Sequence, residues 1–519
     1  MNLPELKYPI GQQDFASIIS DGYIYVDKTA LIYRLVRSGK YFFLARPRRF
    51  GKSLLLSTIR YYFEGRKDLF KGLKIRYLEI LWDSHPVLHL QLSRVDPNSP
   101  LSLESTLNQQ FSRWEKKYGI ANSEEDLTTR FVNIIQGAFE KTGRRVVVLI
   151  DEYDNPLINT IGNRELYEKN RSLLKSIYVC LKDLDEYIRF GMLTGVSRFS
   201  SLSIFSGLNN LRDITFDARF SALCGFTEEE IQSSLGEGLK KLSESMQIHP
   251  EDAIKLLKEN YDGYHFSEDL TDIYNPFSLL NCLDSCKIEN YWFRSGTPTF
   301  LIKALSENRE SFSRIFNADA TSIELATNDV AFDDPVSLLF QTGYLTIKSY
   351  DLSTSMYRLG VPNLEVDRSL FLYLLAGYSH VRDTENLRLV HLMADALEKG
   401  EPEEFIEILK SVLSPISYRL NGKMTELDFE RTMFVILHLL GLEVTTELET
   451  SQGRIDLVVK TKDFVYVIEL KLDKTAEEAL QQINSRDYTL QWEKGNRKVF
   501  KVGISFSSAT RNISSYLIQ

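Results

Sequence analysis

The stretch Tyr41-Phe-Phe-Leu-Ala-Arg-Pro-Arg-Arg-Phe-Gly-Lys-Ser53 constrains this chain more than any other part of it. An apolar, aromatic run leads into Arg46-Pro-Arg-Arg-Phe-Gly-Lys-Ser53, and Leu54 to Phe63 then has helical spacing. Strand, loop and helix, with Gly-Lys-Ser at the helix start, form an arrangement that holds a nucleoside triphosphate. Loop and helix N–H groups point at the phosphates. Lys52 can reach the outer phosphates, and the Ser53 hydroxyl can ligate Mg²⁺. The general motif begins with glycine, and here Arg46 stands in that place. Arginine disfavours the backbone angles that glycine permits, and Pro47 implies a stiffer loop. Arg46, Arg48 and Arg49 add three cations that either contact phosphates or are solvated.

Arg144-Arg-Val-Val-Val-Leu-Ile-Asp-Glu152 supplies the second half of such a site. Its apolar run reads as a buried strand with two carboxylates at the C-terminal end. Ligands of open α/β sheets bind at that end of the strands. Asp151 is placed to hold Mg²⁺ and Glu152 to polarise an attacking water. A further strand, Phe190 to Gly195, ends in Thr194, a candidate sensor of the outer phosphate. Just beyond it, Arg198 is a candidate for stabilising transition-state charge. The expected ligand is ATP with Mg²⁺.

A chain of 519 residues is long enough for several domains. Its net charge of −9 argues against a protein coated in nucleic acid along its length, but leaves room for a local basic groove. The four cysteines, Cys180, Cys224, Cys282 and Cys286, form no paired metal-binding motif and read as reduced thiols. No signal peptide is apparent after Met1, and no apolar run is long enough to cross a bilayer. The expectation is a cytoplasmic protein without membrane contact. In the first part, the β-like runs at Tyr41–Ala45, Val87–Leu92, Val146–Ile150 and Ile188–Leu193 alternate with helical patterns, which implies a parallel sheet covered on both faces. Thr227 and Glu230 read as a capping box opening a helix. From there to about Glu385 the pattern is mostly helical, and Pro335 to Ile347 mixes helix and strand propensities as a small wing would. A helical linker, Glu385 to Val412, leads to a last segment that reads helix, three strands, helix, strand.

That last segment holds a second cluster. Asp456 opens one strand. Glu469 and Lys471 lie two apart on the next, so they project to the same face. If the strands pair as a hairpin, Asp456 and Glu469 can share a hard cation such as Mg²⁺. Lys471 then sits beside the metal, where it can orient water or stabilise a phosphorus-centred transition state. Glu430, on the preceding helix, and Gln482, on the following one, are candidates for the same pocket. A charged strand is most often a solvated face. Here, however, Val465, Val467, Ile468 and Leu470 are apolar on both faces, and charges at the end of a buried strand need a reason.

These segments resemble a bacterial family with an AAA-ATPase-like N-terminal domain and a PD-(D/E)XK nuclease-like C-terminal domain. Tyr25-Val-Asp-Lys-Thr29, Arg46 to Ser53, Val148 to Asp154, Thr194 to Arg198, Tyr261-Asp-Gly-Tyr264 and Tyr274-Asn-Pro-Phe277 carry the likeness in the first part. Glu430-Arg431, Gly453 to Asp456, Glu469-Leu-Lys471 and Gln482-Ile483 carry it in the second. The resemblance implies that the arginine-rich loop start is a family variant, and that Asp456, Glu469 and Lys471 form the nuclease signature with Glu430 and Gln482 at accessory positions. Arg486 stands where the family commonly has a lysine.

The expected fold is therefore multidomain α/β: an AAA-like P-loop ATPase domain over 1–230, a helical lid and winged-helix-like region over 231–385, and a restriction-endonuclease-like domain over 386–519. The first functional expectation is an ATP-regulated, Mg²⁺-dependent nuclease acting on DNA, with defence against mobile elements as a setting offered by analogy alone. The second is a non-hydrolytic switch or scaffold whose last domain binds nucleic acid or a partner without cutting. P-loop assemblies are often rings, so a homo-oligomer is a further expectation.

Overall fold

The computed structural model describes residues 6–93, 95, 102–121, 125–160, 163–198, 210–294, 305, 312–326, 335–379, 383–414, 426–440, 442–450, 453–492 and 495–519. The chain divides into two compact units, Met1–Thr297 with Ala318–Glu365, and Pro298–Asn317 with Val366–Gln519. The segment 231–385 contributes to both.

The first unit is built on a parallel sheet of β1 (Tyr41–Ala45), β2 (Val87–Gln91), β3 (Val146–Asp151), β4 (Ile188–Gly195) and the two-residue β5 (Arg212–Asp213), in the order β2-β3-β4-β1-β5. All of β1 and all of β3 are buried, as continuous apolar runs in a doubly covered sheet must be. β4 pairs with both β1 and β3. The strand that leads into the Gly51-Lys-Ser53 loop and the strand that carries Asp151 therefore both neighbour the strand that ends in Thr194-Gly195. Helices Leu103–Tyr118, Leu127–Thr142 and Arg164–Asp183 each start on a polar cap: Ser102 for Ser105 N, Asp126 for Thr128 N and Thr129 N, and Asn163 for Leu166 N. The capping box forms as the sequence implied: Thr227 accepts from Glu230 N, and Glu230 accepts from Thr227 N.

The mixed run after Pro335 resolves into a helix, Pro335–Thr342, and then β7 (Thr346–Asp351). With β8 (Met356–Gly360) and β6 (Asp319–Thr321), β7 forms an antiparallel sheet ordered β6-β8-β7. Gly343 makes the corner at φ 89°, where a Cβ would also lie 2.7 Å from Pro47.

In the second unit, β9 (Glu443–Thr450), β10 (Gly453–Lys460), β11 (Phe464–Leu472), β12 (Lys498–Ser507) and β13 (Asn512–Ile518) form one sheet ordered β13-β12-β11-β10-β9. Only β11 and β12 are parallel, and helix Ala476–Ser485 makes their crossover. β13 escapes the sequence reading because serines dilute its apolar alternation. On one face Val458, Val465 and Val467 join Ile483 and Tyr488 in a core cluster that also takes in Ile455. On the other, Tyr466 stacks on Phe500 at 5.2 Å and donates its hydroxyl to Leu397 O, in the helix Asp383–Lys399. Pro402–Leu413 forms a separate helix, so the expected linker is two helices broken at Gly400-Glu401. Phe312 and Phe316 pack their rings against Phe434 of helix Glu426–Leu439. Among the described residues no helix is long and apolar enough to cross a membrane, and the four cysteines are unpaired.

Candidate functional sites

The phosphate-binding loop leaves β1 at Ala45 with Arg46 N still bonded to Gly195 O. The Arg46 side chain turns into the protein. Its Nη1 donates to Ala45 O and Thr215 O, both at 2.9 Å, and its guanidinium lies 4.1 Å over the Phe266 ring. Burial pushes its pKa down to about 10. It is thus a structural anchor for the loop start, which explains how arginine can replace the usual glycine. Gly51 adopts φ 90°, a left-handed angle that suits a residue without Cβ, and the helix Lys52–Phe63 begins directly after it. Lys52 is buried, and its Nζ donates to Arg46 O and Pro47 O at 2.9 Å each. Burial lowers its pKa, with Glu152, Asp151 and Asp154 opposing. Among the described residues its hydrogen bonds go to neutral carbonyls, and an anionic acceptor would make shorter and stronger ones.

This loop lines a cavity of about 590 Å³. Its lining includes the polar residues Arg48, Arg49, Lys52, Ser53 and Glu152 and the apolar residues Ile10, Ile24, Val26, Phe226 and Leu280. A cavity of this size with both polar and apolar lining has room for a nucleotide. Arg49 lies 5.0 Å over the Phe277 ring. Glu152 sits at φ 53°, and burial raises its pKa although Lys52 opposes, as suits a general base.

The remaining expected residues are placed differently. The Asp151 carboxylate accepts the Thr194 hydroxyl at 2.8 Å, which makes Thr194 a support for Asp151 rather than a wall of the cavity. Arg198 is paired with Asp213 at 2.5 Å and lies 4.8 Å over Phe216. Neither Arg46 nor Arg198 lines the cavity. Two residues that sequence reasoning did not assign do line it. Asp154 fixes the turn after β4 by accepting from Val196 N, Ser197 N and Ser197 Oγ. Lys28 is buried and paired with Glu230. Their signals were the segments Val148 to Asp154 and Tyr25 to Thr29, which carried likeness but no role.

In the second unit, β10 and β11 pair antiparallel with Leu457 opposite Ile468, so Asp456 and Glu469 follow next in register. Asp456 Oδ2 accepts from Leu470 N at 2.9 Å, which draws Asp456 across to β11. Glu469 is 1% exposed. Its Oε1 accepts from Lys471 Nζ at 2.9 Å, and its Oε2 is buried with no hydrogen-bond partner among the described residues. Burial pushes its pKa up to about 7; Asp456 adds to the rise and Lys471 opposes it. A buried carboxylate with an unused oxygen beside a second carboxylate fits a hard cation. Among the described residues no group of three or more His, Cys, Asp or Glu gathers to hold a metal. Gln482 is half-buried on the helix Ala476–Ser485. Glu430 belongs to the helix Glu426–Leu439, and its side chain lies outside the described residues.

This site predicts a pH effect whose sign is opposite to the usual carboxylate case. Between the ordinary carboxylate range and about 7, folded Glu469 keeps a proton that the unfolded chain releases. Stability of the metal-free protein therefore falls as pH rises through that window. A cation held by Glu469 would need the carboxylate, so its binding would strengthen over the same window. Thermal midpoints at pH 5 and pH 8 should show a larger stabilisation by Mg²⁺ at pH 8. Asp262 and Glu365 are also raised to about 7 by burial, so comparison with Glu469→Gln isolates this site's share. If Glu469→Gln keeps the full Mg²⁺ effect at pH 8, Glu469 does not hold the ion.

A family model described as predicted AAA-ATPase matches residues 9–205, and one described as the PD-(D/E)XK nuclease superfamily matches residues 424–516. The first match spans Gly51-Lys-Ser53 and Asp151-Glu152, and the second spans Asp456, Glu469 and Lys471. The chain is also similar, at 35% identity over 528 residues and 99% of each chain, to the "Uncharacterized protein in vnfD 5'region" of Azotobacter chroococcum mcd 1.

Proposed function

Because this chain belongs to the family that joins a predicted AAA-ATPase domain to a C-terminal PD-(D/E)XK nuclease domain, we propose that it binds and hydrolyses ATP and thereby governs Mg²⁺-dependent cleavage of DNA. The observation that carries the nuclease half is Glu469, a buried carboxylate with an unpartnered oxygen, next in register to Asp456 and bonded to Lys471. In this reading Asp456 and Glu469 hold the metal, Lys471 orients the attacking water or steadies charge on the phosphorus, and Glu430 and Gln482 assist from the flanking helices. In the other half, Arg48, Arg49, Gly51 and Lys52 receive the phosphates. Ser53 and Asp151 hold Mg²⁺, and Glu152 takes the proton of the attacking water. The three-part division at 230 and 385 gives the nucleotide, lid-and-wing and nuclease regions. A homo-oligomer and a role in defence against mobile elements belong to the same reading.

Glu152→Gln tests whether ATP is turned over. It removes the base and keeps the shape, so steady-state hydrolysis should fall by about 10²-fold or more while ATP affinity changes little. Unchanged turnover would leave Glu152 without the assigned role. No turnover in the wild-type protein, with ATP still bound, would favour the switch over the hydrolase.

A further inference from the structure

We propose that Trp292 is a positioning residue that carries the state of the phosphate loop to the place where the chain leaves the first unit. This rests on the reading that the 590 Å³ cavity takes ATP. Trp292 is buried, and its indole Nε1 donates to Arg48 O at 3.0 Å. Arg48 is a lining residue of that cavity and part of the phosphate loop. The backbone N of the same tryptophan donates to Glu365 Oε1 at 2.7 Å. One residue thus bonds to the nucleotide loop through its side chain and to Glu365 through its main chain.

The position of these partners gives the link its meaning. Trp292 lies on the short helix Tyr291–Arg294, shortly before the first unit's segment ends at Thr297. Glu365 is the last residue of the first unit's other segment. It sits inside the helix Leu364–Ser379, in which Val366 begins the second unit. Both segments therefore pass out of the first unit close in sequence to this hydrogen-bonded pair. The loop is braced from the same side. The Trp292 ring lies 5.2 Å from Tyr344, and neighbouring Gly343 closes on Pro47.

An indole N–H is a donor only, and a buried donor parted from its acceptor is left unsatisfied. When phosphates draw the Arg48 segment toward the cavity, the indole follows it, and Glu365 follows Trp292. A ligand shifts a conformational equilibrium only through such differential contacts. The serial bonds Arg48–Trp292–Glu365 supply one.

The test uses the full chain, ATP with Mg²⁺, and Trp292→Phe, which keeps a ring and removes the N–H. A fluorescent ATP analogue gives affinity, and hydrogen exchange at the amides of residues 366–374 reads the response. Wild type and variant should bind within about threefold of each other. ATP should change exchange at 366–374 by about fivefold or more in the wild type and by less than about twofold in the variant. Glu365→Leu breaks the other bond and should give the same loss of response, so the test survives poor folding of one variant. An equal response in all three proteins, or a wild type that binds ATP without any response at 366–374, overturns the proposal. If the wild type fails to bind the analogue, the nucleotide reading itself falls, and the titration records that before any exchange is measured.

Discussion

Lys471→Ala will lower Mg²⁺-dependent DNA cleavage by about 10²-fold or more and leave ATP binding unchanged. The size follows from geometry. Lys471 lies two residues beyond Glu469 on β11, on the same face, and its Nζ is 2.9 Å from Glu469 Oε1. Its side chain is only 16% exposed, so its charge acts with little screening by solvent. In the proposed mechanism, removing it takes away a cation beside the reacting phosphate. It also removes the charge that favours ionised Glu469 against burial and the Asp456 carboxylate, so the pH at which Glu469 ionises moves upward. Nicking of supercoiled plasmid against Mg²⁺ concentration and pH separates the two effects. Lys471→Arg should keep the charge, restore part of the pH profile and recover only part of the rate, because the guanidinium is planar and larger. Cleavage by Lys471→Ala within about threefold of wild type would remove Lys471 from the mechanism.

The second large effect separates two basic residues of one loop. Arg46→Ala should lower the unfolding midpoint by about 5–10 °C, whereas Lys52→Ala should leave the midpoint near that of the wild type and weaken ATP binding by about 10²-fold. Arg46 is 1% exposed, and its guanidinium satisfies Ala45 O and Thr215 O while covering Phe266. Alanine would leave those buried carbonyls without a donor and open a cavity between strand and wing. Lys52 also donates to two buried carbonyls, but burial disfavours its charge, so the hydrogen bonds its removal forfeits are offset by the desolvation cost that goes with it. Calorimetry of both variants with and without ATP distinguishes the roles. If Arg46→Ala unfolded like the wild type and failed only in ATP binding, Arg46 would be a ligand after all.

The contrast also marks how far the amino-acid sequence could be read. The central strands were legible because β1 and β3 are apolar on both faces, and such runs have one stable place in an α/β layer. The capping box at Thr227 and Glu230 was legible because all its parts lie within one turn. The D…ExK geometry followed from strand alternation once Asp456 and Glu469 were taken as hairpin neighbours, and β10 and β11 do pair that way. What could not be read were directions set by distant partners. Arg46 points where Thr215 and Phe266 draw it, and Arg198 where Asp213 and Phe216 do. Lys28 reaches the cavity wall because Glu230, on a helix 202 residues further along, meets it there. No local spacing encodes these meetings. β5 was too short, and β13 too rich in serine, to stand out from loops.

The interleaving of the two units bears on how the protein is made. Ribosomal synthesis delivers Pro298–Asn317 to the second unit before Ala318–Glu365 has completed the first. The aromatic residues Phe312 and Phe316 must then wait for Phe434 to emerge. Neither unit can be finished as one uninterrupted stretch of chain, and a protease cut within 318–365 severs the covalent link between Phe312 and Phe316 and the Phe434 they pack against. A nuclease-family module arranged in this way is hard to make alone: whenever the cell produces it whole, it has also produced the module proposed to govern it.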